Sequence, residues 1–306
     1  MFIQLQFRRL FTNLENTLAR KLDYEFLDCG GGRKLERFGE VIIDRPALGA
    51  FLQKKHDPEK WHEKNGIFFK NKDRPNAWFS SDNSLRDEWK ISIDDIKVIL
   101  KPTPTGQVGM FPEQIENWRE LKKNIKHARC DLKILNVFAY TGIATLFASS
   151  ASSEEHKVEV THVDAAKSSV NWAKANAEAS KLDKNQIRWI VDDAVSFMEK
   201  EIRRGSKYDG IILDPPAFGR SKTGKTWSLK KDMPYLFDLI SGLMSEDPLF
   251  VLISCHDTEV TSDNLAKELS TMKFAATGII KSGDLTLKAE NGATLDSGVY
   301  AHWMKK

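Results

Sequence analysis

The sequence predicts an α/β protein. A Rossmann-like, doubly wound sheet is expected over residues 105–306, after a smaller β-rich domain over residues 1–104. Three observations lead there. From residue 131 onward, short apolar runs alternate with helical stretches, the signature of parallel strands joined by crossover helices. Before that point, β-type runs follow one another with turn residues between them. At 212–219 an apolar run closes on Ile-Leu-Asp-Pro-Pro-Ala-Phe-Gly. Two prolines there remove backbone donors and fix φ, so the chain must leave the sheet in a rigid loop.

The elements follow in order. Residues 3–22 carry Leu5, Phe7, Leu10, Phe11, Leu14, Leu18 and Leu22 at helical spacing, which predicts an amphipathic helix. Gly30, Gly31 and Gly32 interrupt the chain. Strands are then expected at Glu40–Asp44, Gly66–Phe69, Ala77–Phe79, Trp89–Ile93 and Ile96–Leu100, with Trp61, Trp78 and Trp89 filling the core. In the second half, strands are expected at Leu132–Phe138, Val158–Val163, Ile187–Val191, Gly210–Leu213 and Leu249–Ser254. Helices are expected near 143–150, 166–180, 194–204, 232–244 and 258–271.

Composition narrows the function classes. Net charge is only +3, so any nucleic-acid contact must come from local patches. No stretch approaches the ~18 apolar residues of a membrane span, and the amino terminus shows no signal-peptide pattern. Cys29, Cys130 and Cys255 are far apart and lack CxxC spacing, which argues against a disulfide framework and against a metal site. A cytoplasmic protein is expected.

The strand ends carry the candidate chemistry, because open α/β sheets bind ligands there. The first strand runs into Asn136-Val-Phe-Ala-Tyr-Thr-Gly142. A glycine at a helix start lets backbone approach a ligand, although a plain strand-to-helix turn accounts for it too. The second strand ends at Asp164, about twenty residues past Gly142, the separation expected of a ribose-binding acid. The third ends at Asp192, Asp193 and Ala194. Helix capping accounts for each of these acids as well. The fourth ends in Asp214, Pro215, Pro216 and Phe218, a carboxylate beside an aromatic platform that suits a flat polar target such as a nucleobase. The fifth ends in Ser254-Cys255-His256. Cys255 is either a nucleophile or a small apolar filler. Beyond Phe218, the loop with Arg220, Lys222, Lys225, Lys230, Lys231 and Trp227 suits phosphate contacts and base stacking, or is a solvated charged loop. Its GxxxxGKT string follows Asp-Pro-Pro rather than a first strand, so it reads as a chance P-loop match.

Glycine turn, acid, acid and Asp-Pro-Pro on four successive strands resemble the class I S-adenosylmethionine-dependent methyltransferases. The 136–142 segment looks like their first motif as found in the bacterial 23S rRNA (cytosine-C5 / guanine-N7) methyltransferase-like family. Gly106-Gln-Val-Gly-Met-Phe-Pro-Glu-Gln-Ile-Glu-Asn-Trp118 resembles that group's Gly-x-Phe-x-Asp-Gln-x-x-Asn segment, with Glu113 in place of Asp. Ser297-Gly-Val-Tyr-Ala-His-Trp303 looks like its last strand. The first hundred residues do not look like the PUA domain that some members carry.

The resemblance implies S-adenosyl-L-methionine as cofactor and S-adenosyl-L-homocysteine as product. Cofactor contacts would come from Phe111, Gln114, Asn136, Phe138, Ala139, Tyr140, Thr141, Gly142, Asp164, Asp192, Asp193, Ala194, Asp214 and Pro215. It implies that Asp164 holds the ribose and Asp193 the adenine amine. A base in structured RNA, rRNA above all, is the expected target. Pro216, Phe218, Arg220, Lys222, Lys225 and Trp227 would contact it, and Asp214, Phe218 and Cys255 would be catalytic. With Cys255 as nucleophile, the product would be 5-methylcytosine, and His256 would lower the thiol's pKa or carry the proton. Without it, a nitrogen would be the methylated atom. A protein or small-molecule methyltransferase and a non-catalytic cofactor-binding protein are the other readings.

Overall fold

The computed structural model describes residues 22–70, 75–220 and 226–306, the side chain of Arg220 excepted. The expected helix at 3–22 therefore lies outside the described residues, apart from Leu22. The chain divides into two compact units. The first comprises residues up to Val108 together with Ala289–Ala293; the second comprises Gly109–Lys288 and Thr294–Lys306.

The first unit holds a five-stranded sheet in the order β1-β2-β3-β4-β5. These strands are β1 (Tyr24–Gly30), β2 (Arg33–Phe38), β3 (Val41–Pro46), β4 (Gly66–Phe69) and β5 (Ala77–Phe79). A separate hairpin joins β6 (Trp89–Ile93) to β7 (Ile96–Leu100). Sequence reasoning missed β1 and β2. Their alternation is masked by charge: Glu36 sits in β2 with no exposed surface, paired to Arg45 of β3 at 2.5 Å and to Lys34 at 3.2 Å. The glycines that seemed only to interrupt the chain form the β1–β2 turn, with Gly31 at φ 60° and Gly32 at φ 75°. Trp61 packs with Leu27, Leu35 and Ile42, and Trp89 is also buried. Trp78 is only half-buried.

The second unit begins with α1 (Ile115–Lys126), which the sequence reading did not anticipate. Then β8 (Leu132–Val137), α2 (Ile143–Ser149), β9 (Val158–Asp164), α3 (Lys167–Ala179), β10 (Ile187–Val191), α4 (Ala194–Arg203) and β11 (Gly210–Leu213) alternate. After β11 come a small hairpin of β12 (Phe218–Arg220) and β13 (Thr226–Ser228), then α5 (Leu229–Leu243), β14 (Phe250–Cys255) and α6 (Ser262–Ser270). The long strands β15 (Gly278–Lys288) and β16 (Thr294–Lys305) close the chain.

The sheet order is β10-β9-β8-β11-β14-β16-β15. The first five strands are parallel, while β16 runs antiparallel to both β14 and β15. The doubly wound sheet is thus present, but mixed rather than wholly parallel. Leu121 and Ile125 of α1 and Ala148 of α2 cover one face of the sheet; Phe197, Leu236, Ile240 and Leu265, from α4, α5 and α6, cover the other. Strands buried on both faces, such as β11 and β14, read as continuous apolar runs, which made them legible in the sequence. Among the described residues no helix is long and apolar enough to cross a membrane.

Candidate active site

Strand register decides which side chains meet. Ile212 of β11 stands opposite Asn136 of β8 and Leu252 of β14. These three form a row on the face covered by α1 and α2. Side chains alternate along a strand, so the next row, Val137, Leu213 and Ile253, turns to the opposite face and its core. Asp214 and Ser254, one step further, return to the first face.

There they bond: the Ser254 hydroxyl donates to Asp214 Oδ1 at 3.0 Å. Gln114 Nε2 donates to the Ser254 oxygen at 2.7 Å, and Asn117 donates to Gln114 at 2.9 Å. This buried chain of amides and hydroxyl aims Asp214 into a cavity at the carboxyl ends of β8, β11 and β14. Its walls include Phe111, Gln114, Asn136, Phe138, Ala139, Tyr140, Thr141 and Asp214. Eight of the residues singled out in the sequence therefore share one cavity. Ser254, from the fifth strand end, lines it too, as do Met110, Trp118 and Ile143, to which no role had been given.

The turn after β8 is held in an uncommon conformation. Phe138 has φ 57° and Tyr140 φ 48°, a region that bulky side chains rarely occupy, and Gly142 has φ 80°. A Cβ on Gly142 would stand 2.7 Å from that of Ala173, so the turn admits only glycine there. Three bonds fix the conformation. The Tyr140 amide donates to Asp164 Oδ2 at 2.8 Å, the Thr141 hydroxyl donates to the Gly109 carbonyl at 2.6 Å, and Asn176 donates to the Thr141 carbonyl at 2.9 Å. Asp164 also accepts from the Ala166 amide at 2.9 Å. Burial outweighs both bonds and leaves its carboxyl above the usual range.

Other sequence candidates lie outside this cavity. Asp193 caps α4, accepting from the Ser196 amide at 2.9 Å, and Ala194 opens that helix. Asp192 pairs with Lys200 at 2.6 Å. Pro215 is buried and Pro216 exposed, while Phe218 projects with 70% of its surface free. Trp227 of β13 donates to the Pro216 carbonyl at 2.8 Å and rests against Phe138, ring centres 6.1 Å apart. Lys222 and Lys225 lie outside the described residues, as does the side chain of Arg220. Lys230 pairs with Glu259 at 3.5 Å.

The nucleophile reading of Cys255 meets a geometric correction. Cys255 has no exposed surface and belongs to the core between the sheet and α4–α6, on the face opposite Ser254. Burial, with Asp214 and Asp257 adding to it, pushes the thiol up to about 11. A nucleophile needs the reverse, a depressed pKa and access. Nor does His256 activate it, for the imidazole is committed elsewhere. Its Nδ1 bonds the Ser297 carbonyl and lies 3.7 Å from Glu113 Oε1, while its Nε2 faces Asp214 Oδ2 at 3.8 Å.

No known family profile matches the chain. Similar proteins are plain all the same. A crystal structure of a SAM-dependent methyltransferase from Agrobacterium tumefaciens is 32% identical, with a TM-score of 0.85 over 94% of this chain and 92% of that one. The SMU.776 structure, complexed with SAH, shares the fold at 20% identity, with a TM-score of 0.70 over 99% of this chain and 81% of that one. Ribosomal RNA large subunit methyltransferase I of Tolumonas auensis is 36% identical over 127 residues, 42% of this chain and 30% of its own length. Ribosomal RNA large subunit methyltransferase K/L of Pseudoalteromonas atlantica is 36% identical over 137 residues, 44% of this chain and 18% of its own length. The chain thus spans well under half the length of these curated relatives.

Fold and strand-end site together define a class I, Rossmann-like methyltransferase architecture. The chain belongs to the S-adenosylmethionine-dependent methyltransferases.

Proposed function

We propose that this chain methylates a base in structured RNA, rRNA in the first instance, and that the atom methylated is a nitrogen. One observation carries the choice of atom. The carboxylate Asp214 faces the cavity on a row with Ser254, while Cys255 faces the core. Carbon 5 of cytosine needs a thiolate to become nucleophilic. A ring or exocyclic nitrogen needs only orientation and desolvation, and an aligned carboxylate supplies an acceptor for its N–H.

The residues present fit S-adenosylmethionine. The cavity joins aromatic walls, Phe111, Phe138 and Tyr140, to a few fixed polar groups, a composition that accepts both a flat base and a cationic centre. Bound, the cofactor supplies an electrophilic methyl group and leaves as S-adenosylhomocysteine. Asp164 serves the ribose and steadies the 138–142 turn through the Tyr140 amide. Asp193 serves the adenine amine beyond its capping bond. Asp214 orients the target nitrogen and accepts the proton it sheds once methylated. Phe218 and Trp227 offer π-faces to RNA bases, and Arg220, Lys222 and Lys225 offer phosphate contacts. The first unit serves RNA recognition, and the cytoplasm, where rRNA is found, is the compartment of this reading. The names of the curated relatives, ribosomal RNA large subunit methyltransferases, support the RNA target.

Labelled methyl donor tests the reading when incubated with separate RNA, protein and metabolite fractions. Label should enter RNA. The Cys255→Ser protein should keep most of its turnover, and RNA containing 5-fluorocytosine should form no stable adduct. A trapped adduct, together with a dead serine variant, would restore the 5-methylcytosine reading.

A further inference from the structure

His256 has more structure around it than its place after β14 requires. The Ser297 carbonyl can only accept, so Nδ1 must carry a proton. A neutral ring would then turn the Nε2 lone pair toward Asp214 Oδ2, 3.8 Å away. Only the doubly protonated ring suits both neighbours. A second carboxylate completes the arrangement. Glu113 Oε1 lies 3.7 Å from Nδ1; its side chain is only 4% exposed, and Oε2 has no hydrogen-bond partner among the described residues. The Phe111 ring, a wall of the cavity, lies 5.2 Å from the imidazole at 33°. On the β16 side, Gly298 leaves room: a Cβ there would stand 3.0 Å from Nδ1 and 2.6 Å from the Cys255 carbonyl.

We propose that His256 is a positioning residue, an imidazolium bonded to the Ser297 carbonyl and flanked by Glu113 and Asp214, that fixes the outer oxygen of Asp214 for methyl transfer. The proposal rests on the reading of Asp214 as the target-facing carboxylate. Ser254 holds Oδ1 by a hydrogen bond; His256 holds Oδ2 by charge. With both oxygens located, the carboxylate plane is set, and a target N–H meets an acceptor of fixed direction rather than a rotor. The groups facing the imidazole are Asp214 from the loop after β11, Glu113 from the turn before α1, the Ser297 carbonyl from β16, and the Phe111 ring. Burial opposes the imidazolium, yet Asp214, Glu113 and the Ser297 carbonyl outweigh it and hold His256 up to about 9. The sign follows directly. A raised histidine pKa means that the charged form prevails at neutral pH and is lost as pH rises through about 9.

Two measurements on the full-length protein test this. Titration of the His256 ring by NMR needs no substrate. Wild type should titrate well above the ordinary histidine value of about 6.5, and Glu113→Gln and Asp214→Asn should each bring it down. An ordinary value in wild type overturns the proposal. The second measurement is the pH profile of methyl transfer to total rRNA from labelled donor. Wild-type kcat should fall on the alkaline side near His256 deprotonation. His256→Ala should lose on the order of tenfold or more in kcat with little change in donor KM. His256→Gln, which places a non-titrating amide donor beside Asp214, should recover part of that loss and remove the alkaline limb. An alkaline limb that persists in the glutamine variant overturns the positioning role. Wild type that labels protein or metabolites but not rRNA overturns the RNA reading instead, and the same profiles are then taken on the fraction that is labelled. If no fraction is labelled, the ring titration decides the imidazolium arrangement by itself.

Discussion

The first unit and the active site of the second both carry carboxylates, but on opposite terms. In the first unit they are saturated. Asp28 accepts from the Trp61 indole at 2.8 Å and from the amides of Cys29, His56 and Asp57 at 2.9–3.2 Å. Glu36 takes Arg45, Lys34 and the Tyr24 hydroxyl, and Asp44 takes Arg33 at 2.5 Å. In the second unit, Glu113 keeps one buried oxygen without a partner, and Asp214 and Glu113 stand 3.7–3.8 Å from the imidazole between them, outside hydrogen-bond range. A saturated buried acid holds strands together and has no bonding capacity left for a ligand. An unsaturated one costs stability, and folds keep such groups where something is to be bound or moved.

The contrast can be broken in three places. The largest effect is expected from Glu36→Ala. It leaves the Arg45 guanidinium buried beside two weaker acceptors, Gly106 O and Gln107 Oε1, and should cost about 3–5 kcal/mol of folding stability. Urea unfolding reads the loss, and S-adenosylhomocysteine affinity of the folded protein should hardly change. A variant as stable as wild type would show that the saturated network is no structural anchor.

Asp164→Ala should behave the opposite way. Its carboxylate holds the Tyr140 amide in a turn with two residues at positive φ, and in our reading it also meets the ribose. Calorimetry with S-adenosylhomocysteine should show about 1–3 kcal/mol less affinity, with a smaller change in stability. Unaltered binding would remove Asp164 from the cofactor site.

The smallest effect belongs to Glu120 of α1, which shows what a surface pair contributes. The His302 imidazole, 3.7 Å from Oε2, and the Lys281 ammonium at Oε1 hold its carboxyl down to about 2, against burial. A depressed carboxylate stabilises above its unfolded pKa of about 4.3, and that contribution is lost as pH falls through about 2. Glu120→Gln should flatten the acid limb of stability between those values. Because Lys281 is half exposed, the gain at neutral pH should stay below about 1 kcal/mol. Denaturant midpoints measured from pH 7 to pH 2 check this. An acid limb unchanged in the variant would assign that limb to other carboxylates.

Much of this was readable from residues alone. Apolar runs bounded by turn residues marked β8 to β11 and β14, most plainly β11 and β14, because strands covered on both faces need apolar side chains throughout. Gly142 and the Asp-Pro-Pro step marked strand ends, because only such residues tolerate those backbone geometries. The same local signals placed eight cavity residues on the candidate list. The first unit was less legible. A strand such as β2, with Glu36 in its middle, reads as surface until Arg45 is seen beside it, and that pairing spans a turn and a second strand.

What tertiary structure alone decided is the direction of each side chain. Ser254 and Cys255 are neighbours in sequence and both looked like chemistry. In a run as uniformly apolar as Phe250–Ile253, alternation leaves no trace, since both faces are buried. Register against Leu213 and Val299 sends Ser254 to the cavity and Cys255 to the core. Glu113, by contrast, stands more than a hundred residues before His256, and only the closing of the sheet brings both to Asp214. Local pattern specifies backbone, because φ, ψ and burial are properties of short segments. A site is a coincidence of distant segments, and only the packed fold fixes which of their side chains face each other.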